Sequence, residues 1–530
     1  MILSEVKEIK EKKNPVIYSD FPDPDIIRVG EIYYMASTTM HYMPGCDILR
    51  SYDLLNWEFV CHAYDTLDDT PGHNLEGTNH IYGQGMWAPS FRYHEGTYYI
   101  CFTANDTHKT YLLTAKNPAG PWKKSTIDGF YYDSSLFFDE DGRVYIVHGQ
   151  KELFLTELEK DLRGPREEGL HRKVACDVEA IHLGFEGSHL YKKDGKYYLF
   201  TCHILASGSE RKSEVCFVSD SLMGEFKGKC IIDDDMGFHN LGVAQGGVVD
   251  TPEGNWYAFM FHDRGALGRA PMIMPMHFDK DGFPVVGEEG KVPLWVSSYG
   301  TTSDYNYEPL NGDDDFRYHP DAEGKIHLKP FWQFNHNPVD ELWSVTERPG
   351  AFRLYSGKIC SSIVYAYNTL TQRSFGPESA AWVTVDGSEL KDGDYAGISA
   401  FIGCYGAIAL TREENQYYLV MFGKPAQNET VFGDSDFLNP AEEYARIAVD
   451  SSCVQLKVHT DFTDKKDEAE FFYKENNEWK PLGIRQKQYF KMDHFTGCRF
   501  GLFLFSKKQL GGCADFMEFR YWKKDWDIEK

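Results

Sequence analysis

The sequence predicts an all-β chain in two parts, a five-bladed β-propeller within residues 1–310 and a β-sandwich within residues 326–530. Three observations predict it. A glycine followed by a short aromatic strand recurs five times in the first half of the chain. Several of these units are followed by a polar turn that leads into a further strand. Long amphipathic helical patterns are absent throughout.

The repeat reads Gly30-Glu31-Ile32-Tyr33-Tyr34, Gly96-Thr97-Tyr98-Tyr99, Gly142-Arg143-Val144-Tyr145, Gly195-Lys196-Tyr197-Tyr198 and Gly254-Asn255-Trp256-Tyr257, with glycines 66, 46, 53 and 59 residues apart. Each glycine ends a short loop after an apolar strand, so each unit starts as a hairpin. The second signature is Ser51-x-Asp53-Leu54-x-Asn56-Trp57, then Asn117-Pro118-Ala119-Gly120-Pro121-Trp122, then Ser221-Leu222-Met223-Gly224-Glu225-Phe226, each a turn into an outer strand. Radial repetition of such units leaves only short sheet edges and lines a central channel with the innermost strands. The signature fades after Phe283-Pro284, and residues 294–325, rich in Ser, Asp, Asn, Gly and Tyr, read as a linker. From about Phe331 strands alternate again without the repeat, as in Ala381-Trp382-Val383-Thr384-Val385, which reads as a sandwich.

Charge and composition narrow the partners. With 55 Lys and Arg against 81 Asp and Glu, the net charge of −26 repels nucleic acid and anionic membranes and leaves a neutral sugar unaffected. Aromatic residues reach 15%, which suits strands and also stacking on sugar rings. The 12 cysteines are scattered without a C-x-x-C pair, as expected of reduced thiols in a cytoplasmic protein. Residues Met1 to Asn14 lack the apolar core of a signal peptide, and no apolar run approaches the ~18 residues of a membrane span.

The repeat also finds the site. Nine residues before four of the glycines stand Trp87, Asp133, Glu186 and Gln245, and seven before the first stands Asp23. Equivalent positions at the start of each inner strand converge on one mouth of the channel. Three of the five are acids, and converging acids raise one another's pKa, a cost that marks a functional centre. Two carboxyl groups are the usual means of cleaving a glycosidic bond, and acids facing across a channel suit the wider, inverting separation. Asp23, stiffened by the prolines of Phe21-Pro22-Asp23-Pro24, suits a fixed general base. Glu186, beside Phe185, suits a desolvated general acid, and Asp133 suits a third charge that tunes it. Arg269 can fork onto sugar hydroxyls or onto one of the acids. His189, His239 and His262 lack metal-ligand spacing, and Asp139-Glu140-Asp141-Gly142 matches the hairpin turns of the other units rather than a calcium loop.

These residues resemble glycoside hydrolase family 43, in its two-domain β-xylosidase and α-L-arabinofuranosidase branch. The match runs through Asn14-Pro15-Val16, Phe21-Pro22-Asp23-Pro24-Asp25, Met86-Trp87-Ala88-Pro89-Ser90, Tyr132-Asp133-Ser134-Ser135-Leu136-Phe137, Phe185-Glu186-Gly187-Ser188-His189-Leu190-Tyr191 and Leu267-Gly268-Arg269. It continues through Trp332-Gln333-Phe334-Asn335-His336-Asn337-Pro338, Thr346-Glu347-Arg348-Pro349-Gly350 and His494-Phe495-Thr496-Gly497. The resemblance implies an inverting exo-glycosidase that releases β-D-xylose or α-L-arabinofuranose from xylo- or arabino-oligosaccharides, as in xylan degradation. It assigns Asp23 as base, Glu186 as acid and Asp133 as pKa modulator, and implies that the second domain closes the pocket. The candidate substrate-binding residues are Phe21, Trp87, Tyr132, Gln245 and Arg269. No cofactor is required. The resemblance raises one ion, a structural calcium in the propeller channel, and Ala244, standing where some members carry a histidine, argues against it. Met40-His41-Tyr42-Met43 replaces a more aromatic stretch and is expected in the pocket wall. A non-catalytic sugar-binding propeller, an endo-acting arabinanase and a homo-oligomer joined through the sandwich stay open.

Overall fold

The computed structural model describes residues 9–179, 183–204, 211–299, 305–426 and 440–526. Five four-stranded antiparallel sheets form the first half. Their innermost strands are Asp25–Val29, Ser90–His94, Ser135–Phe138, Leu183–Lys193 and Val243–Asp250. Each touches the next, and the last touches the first, so the ring is closed. This is the five-bladed propeller that the repeat predicts.

The five repeat glycines all sit in the turn between the first and second strand of a blade, with φ between 65° and 85°. At Gly30, Gly96, Gly195 and Gly254 a Cβ would meet nothing within 4 Å. Glycine is required there by the left-handed backbone and not by space. The polar turns work as read: Asp53 accepts the N–H groups of Leu55 and Asn56 at 3.0 and 2.8 Å and turns the chain into the outer strand Glu58–Tyr64.

Between the last blade and the first, Trp57 packs on Phe259 with ring centroids 5.3 Å apart, within a core shared by Tyr33, Leu49, Tyr257 and Ile273. Arg28 pairs with Asp250 at 2.7 Å across the same seam. The segment read as a linker does more than connect. Trp295–Tyr299 pairs antiparallel with Ile9–Lys13, and Tyr307 and the Glu308 amide then bond to the first blade at Tyr52 and Glu58. Its low apolar content hid a strand that is held by backbone pairing.

The second half is two packed antiparallel sheets of eight strands each, around a core that includes Val383, Ile398, Leu410, Leu456, Phe471, Leu502 and Phe516. One of those sixteen strands belongs to the propeller half of the sequence. Tyr42–Met43 pairs with Gln333–Asn335 and becomes the edge of a sandwich sheet. The segment expected in the pocket wall is therefore an interdomain strand: His41 and Tyr42 are fully buried, and Arg499 lies 3.6 Å over the Tyr42 ring. Beside it the buried Asp47 carboxylate receives Arg373 at 2.6 Å, His62 at 2.9 Å and Gln333 at 3.1 Å. Burial pushes Asp47 up, but Arg373 and His62 outweigh it and hold the acid below its ordinary value. No helix among the described residues is long and apolar enough to cross a membrane.

Candidate active site

The five positions matched by the repeat stand at the mouth of the channel, and the backbone there is strained. Asp23, Asp133 and Gln245 adopt φ of 50°, 48° and 57°, a region that costs a non-glycine residue roughly 1–3 kcal/mol. In the fourth blade Gly187, one residue past Glu186, takes the same conformation at φ 65°. Register shifts on both sides of Glu186, and between Ala244 and Gly246, mark bulges in the inner strands of blades four and five. A bulge re-aims the side chain it carries. Strain at Asp23 and Asp133 and the bulges at Glu186 turn the three acids out of the ladder and into the mouth.

Glu186 is buried and receives Gln150 Nε2 at 3.0 Å and the Tyr132 hydroxyl at 3.5 Å. Burial is the largest influence on its pKa, with the Asp23 charge adding to it, while Gln150, Lys212 and Tyr132 oppose; the result is about 7. Asp133 accepts the Gly187 amide at 3.1 Å and is pushed well above the carboxylate range by burial, then by the charges of Glu186 and Asp23. Asp23 is gripped by Arg269, whose Nη1 lies 3.0 and 3.2 Å from its two oxygens. Arg269 therefore forks onto an acid, the second of the two roles its sequence position allowed.

The second domain supplies one wall. The loop between strands Gln486–Lys487 and Arg499–Ser506 places Phe495 4.3 Å from the Arg269 guanidinium carbon and 5.2 Å from Trp87, and the Phe495 carbonyl accepts Arg269 Nη2 at 3.2 Å. Asp20 pins this loop by accepting the amides of Arg269 at 2.8 Å and Gly497 at 2.7 Å. A Cβ on Gly497 would lie 2.1 Å from the Leu267 carbonyl, so only glycine permits the two domains to approach this closely here. Trp87 is partly buried, and its Nε1 has no hydrogen-bond partner among the described residues.

Two expected contact residues sit elsewhere. Phe21 is fully buried beneath Asp23, its ring covered by Arg373 at 4.1 Å; it is a core residue and not a cavity wall, because the second domain's guanidinium occupies its open face. Gln245 faces inward. Its amide donates to the buried Glu214 at 2.8 Å, and its side chain packs where a Cβ on Gly187 would stand, so it props the acid-bearing strand. Gln150, Lys212, Glu214 and Phe490 escaped the sequence reading. The repeat marks only the starts of inner strands, and these residues come from the connections between second and third strands, from a third strand or from the other domain. For Phe495 alone there was a signal, the His494-Phe495-Thr496-Gly497 motif.

Deeper in the channel Asp25 accepts Arg92 Nη1 at 2.5 Å and the Phe91 amide at 2.7 Å, with His189 Nδ1 3.2 Å away. Burial pushes Asp25 up, yet Arg92 and His189 bring it down to about 2. Calcium takes six to eight oxygen ligands. The axis offers one carboxylate already neutralised by a guanidinium, a set that does not suit the ion. His239 and His262 are spent on Asp464 and the Leu241 carbonyl, and Asp139 on Lys192 and Tyr197. Among the described residues no group of three or more His, Cys, Asp and Glu side chains is placed to hold a metal.

Residues 12–284 match glycosyl hydrolases family 43, and residues 324–522 match the beta xylosidase C-terminal concanavalin A-like domain. The chain belongs to glycosyl hydrolases family 43. It is 29% identical over 406 residues to a beta-xylosidase of Formosa agariphila, covering 71% of this chain and 65% of that protein. It is 30% identical over 374 residues to a non-reducing end alpha-L-arabinofuranosidase of Bacteroides ovatus, covering 65% of each. The bifunctional GH43-CE protein of Bacteroides eggerthii superposes with a TM-score of 0.88 at 38% identity, over 98% of this chain and 64% of that one. The family-43 chain thus spans just under two thirds of the length of each of these relatives.

If Glu186 must donate a proton, the sign of the pH dependence follows. The acid is competent below its pKa and loses its proton as pH rises through about 7, so kcat/KM falls on the alkaline side there. Asp133 and Glu186 influence each other, so the limb belongs to the pair. The Glu186→Gln variant is expected to lose this limb in a pH–rate profile. Persistence of the same limb in the variant would assign it to another group.

Proposed function

We propose that this chain is an inverting exo-glycosidase that releases a terminal pentose, β-D-xylose or α-L-arabinofuranose, from neutral xylo- or arabino-oligosaccharides. One observation carries the reading. Glu186, a buried carboxyl raised to about 7, shares a mouth with Asp23, whose two oxygens are gripped by Arg269. Acid-assisted departure and base-assisted attack of water require such a pair of carboxyl groups. Asp133, whose own ionisation is coupled to the charges of Glu186 and Asp23, orients the acid strand by holding the Gly187 amide.

Other features support the reading. The unpaired Trp87 Nε1 is a donor suited to a hydroxyl-rich ligand. Phe495 and its loop cover the mouth from the second domain, which favours chain ends over internal bonds. No metal has a role in it, since Arg92 already neutralises the channel acid Asp25. All twelve cysteines are free, which suits a reducing, cytoplasmic setting.

The test is a paired assay with an aryl β-D-xylopyranoside and an aryl α-L-arabinofuranoside, with Asp23→Asn as control. Release of one pentose by the wild type and not by the control supports the reading. Tight sugar binding without hydrolysis would replace it with a binding function, and release of oligomers from polymer would replace it with endo action.

A further inference from the structure

On the seam between the domains, remote from the three acids in the chain, three buried imidazoles meet. His41 comes from the propeller half, and His336 and His494 come from the second domain. Their rings lie 5.0 and 4.9 Å from that of His41. All three residues are at most 1% exposed. Tyr82 packs against each of them at 4.6 to 5.0 Å. The cluster is tied to the mouth at two points. His494 runs directly into Phe495, and Met40, the residue before His41, accepts the Met86 amide at 3.2 Å beside Trp87. The backbone closes the seam as well, since the His336 amide donates to the His41 carbonyl at 3.2 Å.

The bonds in the cluster suit neutral rings only. His336 Nε2 accepts the Ile81 amide at 3.0 Å, so its proton is on Nδ1, 3.1 Å from Asn335 Oδ1. A second proton would set two donors against each other. His494 Nδ1 meets the Thr496 hydroxyl at 2.8 Å. Its Nε2, and both nitrogens of His41, have no partner among the described residues. An imidazolium there would be a buried charge without an acceptor. The neighbours oppose it too. Arg499, His80, His73 and Lys358 act on the three rings as positive charges, and Tyr42 and Tyr82 face them as neutral phenols. Burial first, then these charges, hold His494 down to about 3 and the other two well below the ordinary imidazole value.

On the glycosidase reading above, we propose that His41, His336 and His494 form a proton-sensitive latch that positions the Phe495 loop over the mouth. With neutral rings the loop is docked and the site is complete. When the rings take up protons the seam opens, Phe495 leaves Trp87 and Arg269, and turnover stops. The three are positioning residues and none of them touches substrate. The sign follows from linkage. Undocked rings bind protons near 6.5 and docked rings only well below it, so docking is complete above that pH and weakens as pH falls, by about 30-fold per imidazole at pH 5. Three rings titrating together make the loss steeper than one ionising base allows.

The experiment is a pH profile of kcat/KM on the aryl glycoside of whichever pentose the wild type accepts, for the wild type and His41→Gln, with far-UV circular dichroism at each pH. On the acid side the wild type is expected to lose log kcat/KM with a slope of about 2 to 3 per pH unit, against about 1 for a single base. His41→Gln is expected to keep its rate at neutral pH, to lower that slope by about 1 and to stay active to lower pH. His41→Phe, which fills the space of the ring, gives the same readout if His41→Gln fails to fold. A wild-type slope of about 1, a slope unchanged in the variant, or loss of the far-UV signal over the same pH range would overturn the latch and leave the glycosidase reading intact. If the wild type cleaves no aryl pentoside, that reading falls and hydrogen exchange decides the latch by itself. Protection of the amides of residues 490–497 should then drop below about pH 6.5 in the wild type and persist to lower pH in His41→Gln. Equal loss of protection in the two proteins would overturn the latch.

Discussion

Replacing Glu186 by glutamine is expected to lower kcat/KM on unactivated oligosaccharides by about 10²- to 10⁴-fold, the usual contribution of a general acid. Glutamine keeps the shape and the hydrogen bond from Gln150 but has no proton to give. Replacing Asp23 by asparagine should cost as much by a different route. The clamp from Arg269 can persist, while the group that takes a proton from water is gone. The two variants separate on an aryl glycoside with an activated leaving group. Departure of such a group needs little protonation, so Glu186→Gln should recover much of its rate there and Asp23→Asn should not. Glu186→Gln should unfold near the wild-type temperature, because it keeps the shape and breaks no buried ion pair, whereas Asp23→Asn leaves the buried Arg269 without its carboxylate and should lower the midpoint. The assignment fails if either variant keeps more than about a tenth of wild-type turnover on a disaccharide, given the 10²-fold lower bound.

The second large effect concerns the seam between the domains. Arg373 neutralises the buried Asp47, donates to the Asp20 carbonyl at 2.6 Å and covers the Phe21 ring. Removing one partner of a buried ion pair costs about 3–5 kcal/mol, because the other charge stays in a poorly solvated place. Arg373→Ala is therefore expected to lower the unfolding midpoint by roughly 10 °C. Activity should fall with it, since Phe21 and Asp20 flank the Asp23 segment and Asp20 also holds the Phe495 loop. Melting followed by circular dichroism, with kcat measured well below the midpoint, separates the two losses. A midpoint lowered by less than about 2 °C would show that the seam does not depend on this pair.

The sequence reached the acids because a propeller repeats its geometry. Once five glycines fix the hairpins, equal counting places Asp23, Asp133 and Glu186 at equivalent starts of inner strands, and closure of the ring must gather them. Local rules were enough for this, namely left-handed turns at glycine, carboxylate-capped turns and alternation in strands. The same rules were silent about Gln150, Lys212, Glu214 and Phe490, whose positions relative to Glu186 depend on how strands, blades and domains pack against one another.

Phe21 shows that limit most clearly. Its place beside Asp23 in the chain suggested a sugar contact, but whether its ring meets solvent was decided by Arg373, some 350 residues away in the sequence. Tyr42–Met43 shows it again, two residues of the propeller half that complete a sheet of the other domain. By itself the sequence determined the two architectures, the five convergent positions and the chemistry of three acids, since these follow from local periodicity and residue type. Only the tertiary structure decided which neighbours desolvate Glu186, what clamps Asp23 and what covers the mouth. Those are matters of distance between chain segments far apart in sequence, and the electrostatics of a buried carboxyl depend on distance and burial rather than on its neighbours in the chain.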